Sequence, residues 1–271
     1  MSLVTTDWLN ENLNNVKIID SSWHLPNKKR NAYKEYFNEH IINSIFFDID
    51  KNSDQETNLP HMLPKAKEWE NIVSNLGISN GDKIVVYDNS DLISSCRCWY
   101  TFIYFGHDPS LISVLNGGLK KWKQERKPVV KSETVIAKTN YKAKKNRKMV
   151  KSKFEIDKNI SLKKFKLIDA RSFERFKGRV PEPRSDVRGG SIEGSSCLPF
   201  NQLINNNNTF KSIPDINLIF QNIINTDDNN VVFSCGSGVT ASVLALAYSL
   251  INNKYIPTIY DGSWSEYGLI K

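Results

Sequence analysis

One cysteine lies in a stretch whose residue types favour sulfur chemistry. Residues 231–233 form a β-branched and aromatic run typical of a buried strand, and an Ala- and Leu-rich helical run begins after Gly238. Cys235 therefore falls between the end of a strand and the start of a helix. Gly236 and Gly238 let the loop turn its backbone N–H groups toward one point, where the helix N-terminus adds partial positive charge. We predict a readily ionised, nucleophilic thiol.

Two alternatives to sulfur chemistry at Cys235 follow from the residues. Cys235 could be a buried structural cysteine, because free cysteines are often buried. The glycines on both sides of Ser237 leave no bulky group beside the sulfur and favour reactivity. A phosphatase loop of the Cys-x5-Arg type is disfavoured, because Ala241 stands six residues after Cys235.

This loop resembles the active-site loop of the two-domain rhodanese family, in particular its 3-mercaptopyruvate sulfurtransferase branch. The resemblance rests on Cys235-Gly236-Ser237-Gly238-Val239-Thr240-Ala241. The thiosulfate-preferring branch carries basic residues after the cysteine, where this chain has Gly236 and Ser237. The resemblance implies that Cys235 carries sulfur as a persulfide, without a metal or organic cofactor. It also implies that the substrate is held by Gly236, Gly238, Val239 and Thr240.

Segments of the first half recur in the second half at a nearly constant distance. Asp20 matches Asp169, and Asp88 matches Cys235. Alternating short strands and helices predict two copies of an α/β domain, each a mostly parallel sheet with helices on both faces. We predict two tandem rhodanese-like domains, 1–126 and 159–271, joined by a basic linker, 127–158. The first should be catalytically inactive, because the Asp88 carboxylate cannot carry transferable sulfur.

An arginine-rich segment follows the first strand of the second domain. Arg175 and Arg184 lie in a stretch stiffened by two prolines, and an arginine fork suits a carboxylate. From the residues alone, ordinary surface salt bridges are the alternative. The resemblance implies that these two arginines bind the carboxylate and carbonyl end of mercaptopyruvate. Arg179 stands where the family commonly has an uncharged residue, and we assign it no role.

A histidine in the first half lies in a loop flanked by prolines. From the residues alone such a histidine, His61, is usually structural or solvated. The resemblance implies a relay in which Asp50 and His61 join Ser237. Loss of sulfur leaves pyruvate enolate, which must gain a proton, and a Ser–His–Asp chain could deliver it.

Composition limits the classes of partner. The 271 residues carry a formal charge of +8, much of it in the lysine-rich residues 142–153, which we interpret as solvated linker rather than a nucleic-acid arm. The N-terminus lacks a signal-peptide pattern, and no apolar run approaches membrane-spanning length. Four scattered cysteines do not suggest a disulfide framework, and Cys96 and Cys98 are expected to pack within a helix. We expect a cytoplasmic monomer that binds neither nucleic acid nor membrane.

These observations lead to one functional hypothesis and two alternatives. The chain is predicted to move the sulfane sulfur of 3-mercaptopyruvate through a Cys235 persulfide to thioredoxin, a small thiol or cyanide, releasing pyruvate. The first alternative keeps the fold and uses thiosulfate as the donor. The second is a sulfur-carrier or binding module without turnover.

Overall fold

The computed structural model describes residues 2–131 and 134–270, and they divide into two compact units. The first unit contains the described part of residues 1–55 and 63–146, together with Asn206–Thr209. The second contains Glu56–Met62, Arg147–Asn205 and the described part of residues 210–271.

The first unit is built on a parallel sheet whose strands are short β-branched runs. Its elements are β1 (Leu3–Val4), α1 (Thr6–Glu11), β2 (Lys17–Asp20), α2 (Ala32–Asn38), β3 (His40–Ile41), β4 (Ser44–Phe46), α3 (Ala66–Asn75), β5 (Ile84–Tyr87), α4 (Ser95–Tyr104), β6 (Ile112–Leu115), α5 (Gly118–Gln124) and β7 (Val129–Val130). The sheet order is β1-β6-β5-β2-β4, and β3 pairs separately with β7 in antiparallel orientation. Ile18 lies opposite Val85, and both belong to a core closed by Trp122.

The second unit repeats this plan around its own sheet. Its elements are β8 (Val150–Lys151), α6 (Lys153–Leu162), β9 (Lys166–Asp169), α7 (Phe173–Phe176), β10 (Ser196–Cys197), α8 (Ile213–Gln221), β11 (Val231–Ser234), α9 (Val239–Ile251), β12 (Ile259–Tyr260) and α10 (Ser263–Tyr267). The sheet order is β10-β9-β11-β12-β8, and all of these pairings are parallel. Its core includes Leu167, Val232 and Trp264.

The predicted α/β class with mostly parallel sheets is confirmed in both units. Parallel neighbours need crossover connections, and the apolar helical runs between the strands supply them. Because the carboxyl ends of parallel strands share one edge of a sheet, Asp169 and Ser234 are aligned partners at the ends of β9 and β11. Cys235 follows directly, at the edge where such sheets bind ligands.

The two units depart from the predicted domain limits in several segments. Residues 56–62, which include His61, group with the second unit. The predicted linker, 127–158, contains β7, β8 and the start of α6, while residues 132 and 133 lie outside the described residues. Within residues 127–158, Tyr141 and Met149 are almost fully buried.

The first unit places a carboxylate where the second places its loop cysteine. Asp88 follows β5 directly, is 4% exposed, and accepts N–H bonds from Ser90 at 2.8 Å and Ser95 at 2.9 Å. Desolvation by burial raises the pKa of this carboxyl group. Cys96 and Cys98 are fully buried in α4, which confirms the expected packing, and burial raises the pKa of both thiols.

Among the described residues, no helix is both long enough and apolar enough to cross a membrane.

Candidate active site

The predicted nucleophile lies in a tight loop between β11 and α9. Cys235 is 2% exposed, and the Gly238 N–H donates a hydrogen bond of 3.1 Å to its sulfur. Gly238 has a φ of +83° and caps the 13-residue helix α9, a left-handed conformation that glycine adopts without steric cost. An N–H donor and the positive end of a helix both stabilise a thiolate. The loop therefore presents an N–H donor and the start of a helix to the Cys235 sulfur.

Val239 and Thr240 form the first turn of that helix. Val239 is 3% exposed and Thr240 is half-buried. The structure thus places every predicted residue of the loop in one short turn at the end of the sheet.

The first turn of α10 holds the loop from a second side. The Trp264 N–H donates to the Cys235 carbonyl at 2.9 Å, and the Ser263 hydroxyl accepts from the Cys235 N–H at 3.2 Å. Ser263 adopts a φ of +49°, a left-handed conformation rarely taken by residues other than glycine. In the first unit the corresponding residue is Gly118, with a φ of +54°. Ser263 was not predicted to take part in the site, although the repeat aligned it with Gly118.

Two substitutions at Ser263 should separate the contribution of its hydroxyl contact to the free energy of unfolding from the cost of its left-handed backbone. Ser263→Ala should cost about 2 kcal/mol of unfolding free energy, because the buried Cys235 N–H loses its acceptor. Ser263→Gly should cost about 1 kcal/mol less, since glycine adopts the left-handed conformation freely. Urea unfolding of the two variants beside the wild type measures both values. Equal losses in the two variants would show that the left-handed conformation stores no strain.

Ser237, a second predicted site residue of the loop, contacts His61, which is distant in the sequence. The Ser237 hydroxyl and His61 Nδ1 share a hydrogen bond of 2.8 Å, whose donor depends on the imidazole tautomer. His61 is 6% exposed and has a φ of +59°. The structure therefore brings together two of the three predicted relay residues. Asp50 belongs to the first unit, where the Trp23 Nε1–H bonds to both carboxylate oxygens at 3.1 and 3.0 Å.

The two predicted substrate arginines have different surroundings. Arg175, in α7, lies against the loop: a β-carbon added at Gly236 would be 3.2 Å from its Nη2. Arg184 is paired with the exposed carboxylate of Asp186, at 3.0 Å from Nε and 2.5 Å from Nη2. Arg175 is thus the arginine with a direct contact to the nucleophile loop.

A buried ion-pair network supports Arg175. Arg171 binds Asp169, at the end of β9, with Nη2 2.7 Å from Oδ2, and it stacks on Trp264 with 4.5 Å between its Cζ and the ring centroid. Glu182 connects this anchored arginine to Arg175. The sequence reasoning assigned no role to Glu182 or Arg171. The signal for Glu182 was its place in the same proline-stiffened segment as Arg184.

The other cysteine of the second unit is unsuited to nucleophilic attack. Burial raises the pKa of the Cys197 thiol to about 12, and its S–H lies 3.5 Å from the Arg171 carbonyl. Within residues 2–131 and 134–270, no cluster of three or more histidine, cysteine or acidic side chains could hold a metal ion.

Comparison with known proteins agrees with this geometry. The family model described as the rhodanese-like domain matches residues 5–125 and 152–269. The chain is 35% identical to "Thiosulfate/3-mercaptopyruvate sulfurtransferase 1, mitochondrial" of Arabidopsis thaliana, covering 98% of this chain and 75% of that protein. It is also 35% identical to the thiosulfate sulfurtransferase of Rattus norvegicus, with 98% and 91% covered.

A solved structure extends the likeness to three dimensions. The crystal structure of SseA from Escherichia coli, described with the rhodanese fold and catalytic mechanism of 3-mercaptopyruvate sulfotransferases, matches with a TM-score of 0.86 at 30% identity. The match covers 97% of this chain and 99% of that one. With two family matches along one chain and relatives similar over nearly its whole length, this protein belongs to the rhodanese family.

Proposed function

We propose that this protein is a 3-mercaptopyruvate sulfurtransferase that works through a persulfide on Cys235. The observation that carries the proposal is the position of Arg175 Nη2 against Gly236, in the same loop whose Gly238 N–H bonds the cysteine sulfur. An arginine fork from α7 and the nucleophilic sulfur therefore lie against the same short loop. A donor with a carboxylate near its sulfur would span these two groups.

The chemistry begins with attack of the Cys235 thiolate on the thiol sulfur of the donor. An S–S bond forms and the C–S bond of mercaptopyruvate breaks, so that its electron pair leaves on pyruvate enolate. Addition of a proton to the enolate carbon gives pyruvate, and the transferred sulfur remains as a persulfide. The Gly238 N–H and the start of α9 stabilise negative charge on sulfur before and after the step. The resemblance assigns Arg184 to the same carboxylate end.

Ser237 and His61 are proposed to move the proton that this reaction requires. Their 2.8 Å hydrogen bond gives a path from the substrate to the imidazole, and the resemblance adds Asp50 to the relay. Transfer from thiosulfate yields sulfite and requires no proton. Ser237→Ala should therefore lower kcat with mercaptopyruvate about 100-fold while lowering thiosulfate turnover much less. Steady-state rates with both donors test this, and equal losses would contradict a proton-transfer role.

Thiosulfate is the second candidate donor, since relatives of similar identity are named for it. A dianion gains most from cations beside the nucleophile, and here the neighbouring residues are Gly236 and Ser237. We expect kcat/KM to be higher with mercaptopyruvate. The double variant Gly236→Arg, Ser237→Lys should move the preference toward thiosulfate by about tenfold or more. An unchanged donor ratio would contradict the charge argument.

The proposed enzyme also needs a sulfur acceptor and a cellular compartment in which its thiol stays reduced. Thioredoxin or a small thiol takes the outer sulfur from a monomeric enzyme, and cyanide does so in an assay. The four cysteines are free thiols, which supports a reducing compartment such as the cytoplasm. A sulfur carrier would accept sulfur from a donor yet turn over slowly with every free acceptor, so multiple-turnover rates separate the carrier from the enzyme.

A further inference from the structure

One buried carboxylate connects the two arginines beside the loop. The Glu182 side chain is 4% exposed, against 24% for Arg175 and none for Arg171. Its Oε1 accepts from Arg171 Nη1 at 2.8 Å and from Arg175 Nε at 3.2 Å, and its Oε2 accepts from Arg175 Nη2 at 2.5 Å. Glu182 thus accepts three hydrogen bonds from charged donors and is almost fully removed from solvent.

These contacts decide which edge of Arg175 faces a ligand. A guanidinium has five N–H donors, and Glu182 takes the Nε–H and one hydrogen of Nη2. The remaining hydrogens lie on Nη1 and on the outer side of Nη2, and together they form a second planar fork. The fork includes Nη2, the atom that a β-carbon added at Gly236 would meet at 3.2 Å, and this contact puts one of its two donor atoms beside the nucleophile loop. The fork matches the two oxygens of one carboxylate.

Glu182 also cancels one of the two positive charges that Arg171 and Arg175 carry. Arg171 and Arg175 carry two positive charges, and Asp169 and Glu182 carry two negative charges at hydrogen-bonding distance. The network is therefore neutral as a whole. It favours a ligand through directed hydrogen bonds and gives little added attraction to a second negative charge.

From this arrangement we propose that Glu182 is a positioning residue that selects a monoanionic carboxylate donor over a dianionic donor. The inference rests on the proposed function and deepens it, because it names the group that sets the donor class. Glu182 acts through Arg175, by holding the fork toward the loop and by cancelling its charge.

Glu182→Gln tests both parts of the inference. The change keeps the shape, removes one negative charge and places an amide N–H₂ against a guanidinium. We expect kcat/KM with mercaptopyruvate to fall about tenfold, mainly through KM, because the fork loses its fixed orientation. We expect kcat/KM with thiosulfate to rise several-fold, because the network gains a net positive charge. The donor ratio should change by about 30-fold or more.

Two matched variants separate the inference from a general structural effect. Glu174→Gln removes the same charge from the exposed partner of Arg179, on the helix that carries Arg175, and should leave the donor ratio unchanged. Glu182→Asp retains the charge on a shorter side chain. Its kcat/KM with mercaptopyruvate should fall because the shorter side chain cannot hold the fork, whereas its kcat/KM with thiosulfate should not rise, because the negative charge remains. A rise with thiosulfate in Glu182→Asp would contradict the charge argument, and thermal unfolding shows that each variant is folded.

The outcomes distinguish this inference from the proposed function. A wild-type protein that accepts sulfur from mercaptopyruvate, combined with an unchanged donor ratio in Glu182→Gln, would overturn the role of Glu182 alone. A ratio that shifts equally in Glu174→Gln would do the same. A wild-type protein that accepts sulfur from neither donor would overturn the proposed function together with this inference.

Discussion

Replacing Cys235 with serine is expected to reduce sulfur transfer from 3-mercaptopyruvate by about a thousandfold or more. A serine hydroxyl is not ionised near neutral pH and cannot form the S–S bond that stores the sulfur. The 3.1 Å bond from the Gly238 N–H stabilises charge on sulfur and gives a neutral hydroxyl little activation. Pyruvate release with a thiol acceptor, followed over multiple turnovers, is the measurement.

Cys197→Ser is the matched control for that variant. Cys197 lies in the same unit, and burial raises the pKa of its thiol to about 12, so it is largely protonated at neutral pH. Its replacement should leave turnover within about twofold of the wild type. Comparable losses in both cysteine variants would mean that Cys235 is not the sole sulfur carrier.

Arg175→Lys is expected to lower kcat/KM for mercaptopyruvate about 100-fold, although it preserves the charge. Lysine lacks the planar fork that binds a carboxylate with two parallel bonds, and it cannot keep the two-point contact with Glu182. Most of the loss should appear in KM, because the carboxylate is bound both before and during the reaction. Steady-state kinetics over a range of donor concentrations measures the two parameters.

Arg179→Lys provides the comparison for this change. Arg179 is exposed, lies on the same segment, and has its contact with the exposed Glu174 at 3.4 Å. Its replacement should change neither parameter by more than about twofold. If Arg175→Lys retained wild-type KM, the carboxylate would have to bind elsewhere, and Arg184 would become the first candidate.

The sequence was sufficient to predict the features that depend on local residue patterns. Short apolar runs such as residues 231–234 alternate with helical runs along the chain, which is typical of a parallel sheet. The small residues after Cys235 indicated a tight turn. The repeat then predicted the second copy, including the exchange of Cys235 for Asp88. Each of these inferences uses neighbouring residues, whose conformation depends on propensity and steric limits that a sequence displays directly.

The features that the sequence did not reveal depend on contacts between distant residues. His61 is 176 positions from Ser237, and their meeting was implied by the family resemblance and not by the residues themselves. The repeat gave no reason for residues 56–62 to group with the second unit. Glu182 resembles a surface carboxylate in sequence, and its burial arises from Arg171 and Arg175 folding over it. Ser263 adopts a glycine-like conformation because its hydroxyl binds the Cys235 N–H, a tertiary effect that overrides local preference.

The basic residues 142–153 show how little composition alone says about local packing. Lysines dominate residues 142–153, yet Tyr141 and Met149 pack inside the protein and β8 pairs with β12. A few apolar residues in a basic stretch are enough to fix the backbone, because each buries its side chain while the lysines remain exposed.

The central claim is that Cys235 accepts a sulfur atom from 3-mercaptopyruvate. Intact mass of the purified wild-type protein after brief exposure to that donor, with Cys235→Ser in parallel, tests it most directly. We predict a gain of one sulfur atom in the wild type, no gain in the variant, and loss of the added mass on treatment with a thiol. A wild-type protein whose mass does not change, or a Cys235→Ser variant that gains the same sulfur, would contradict the account.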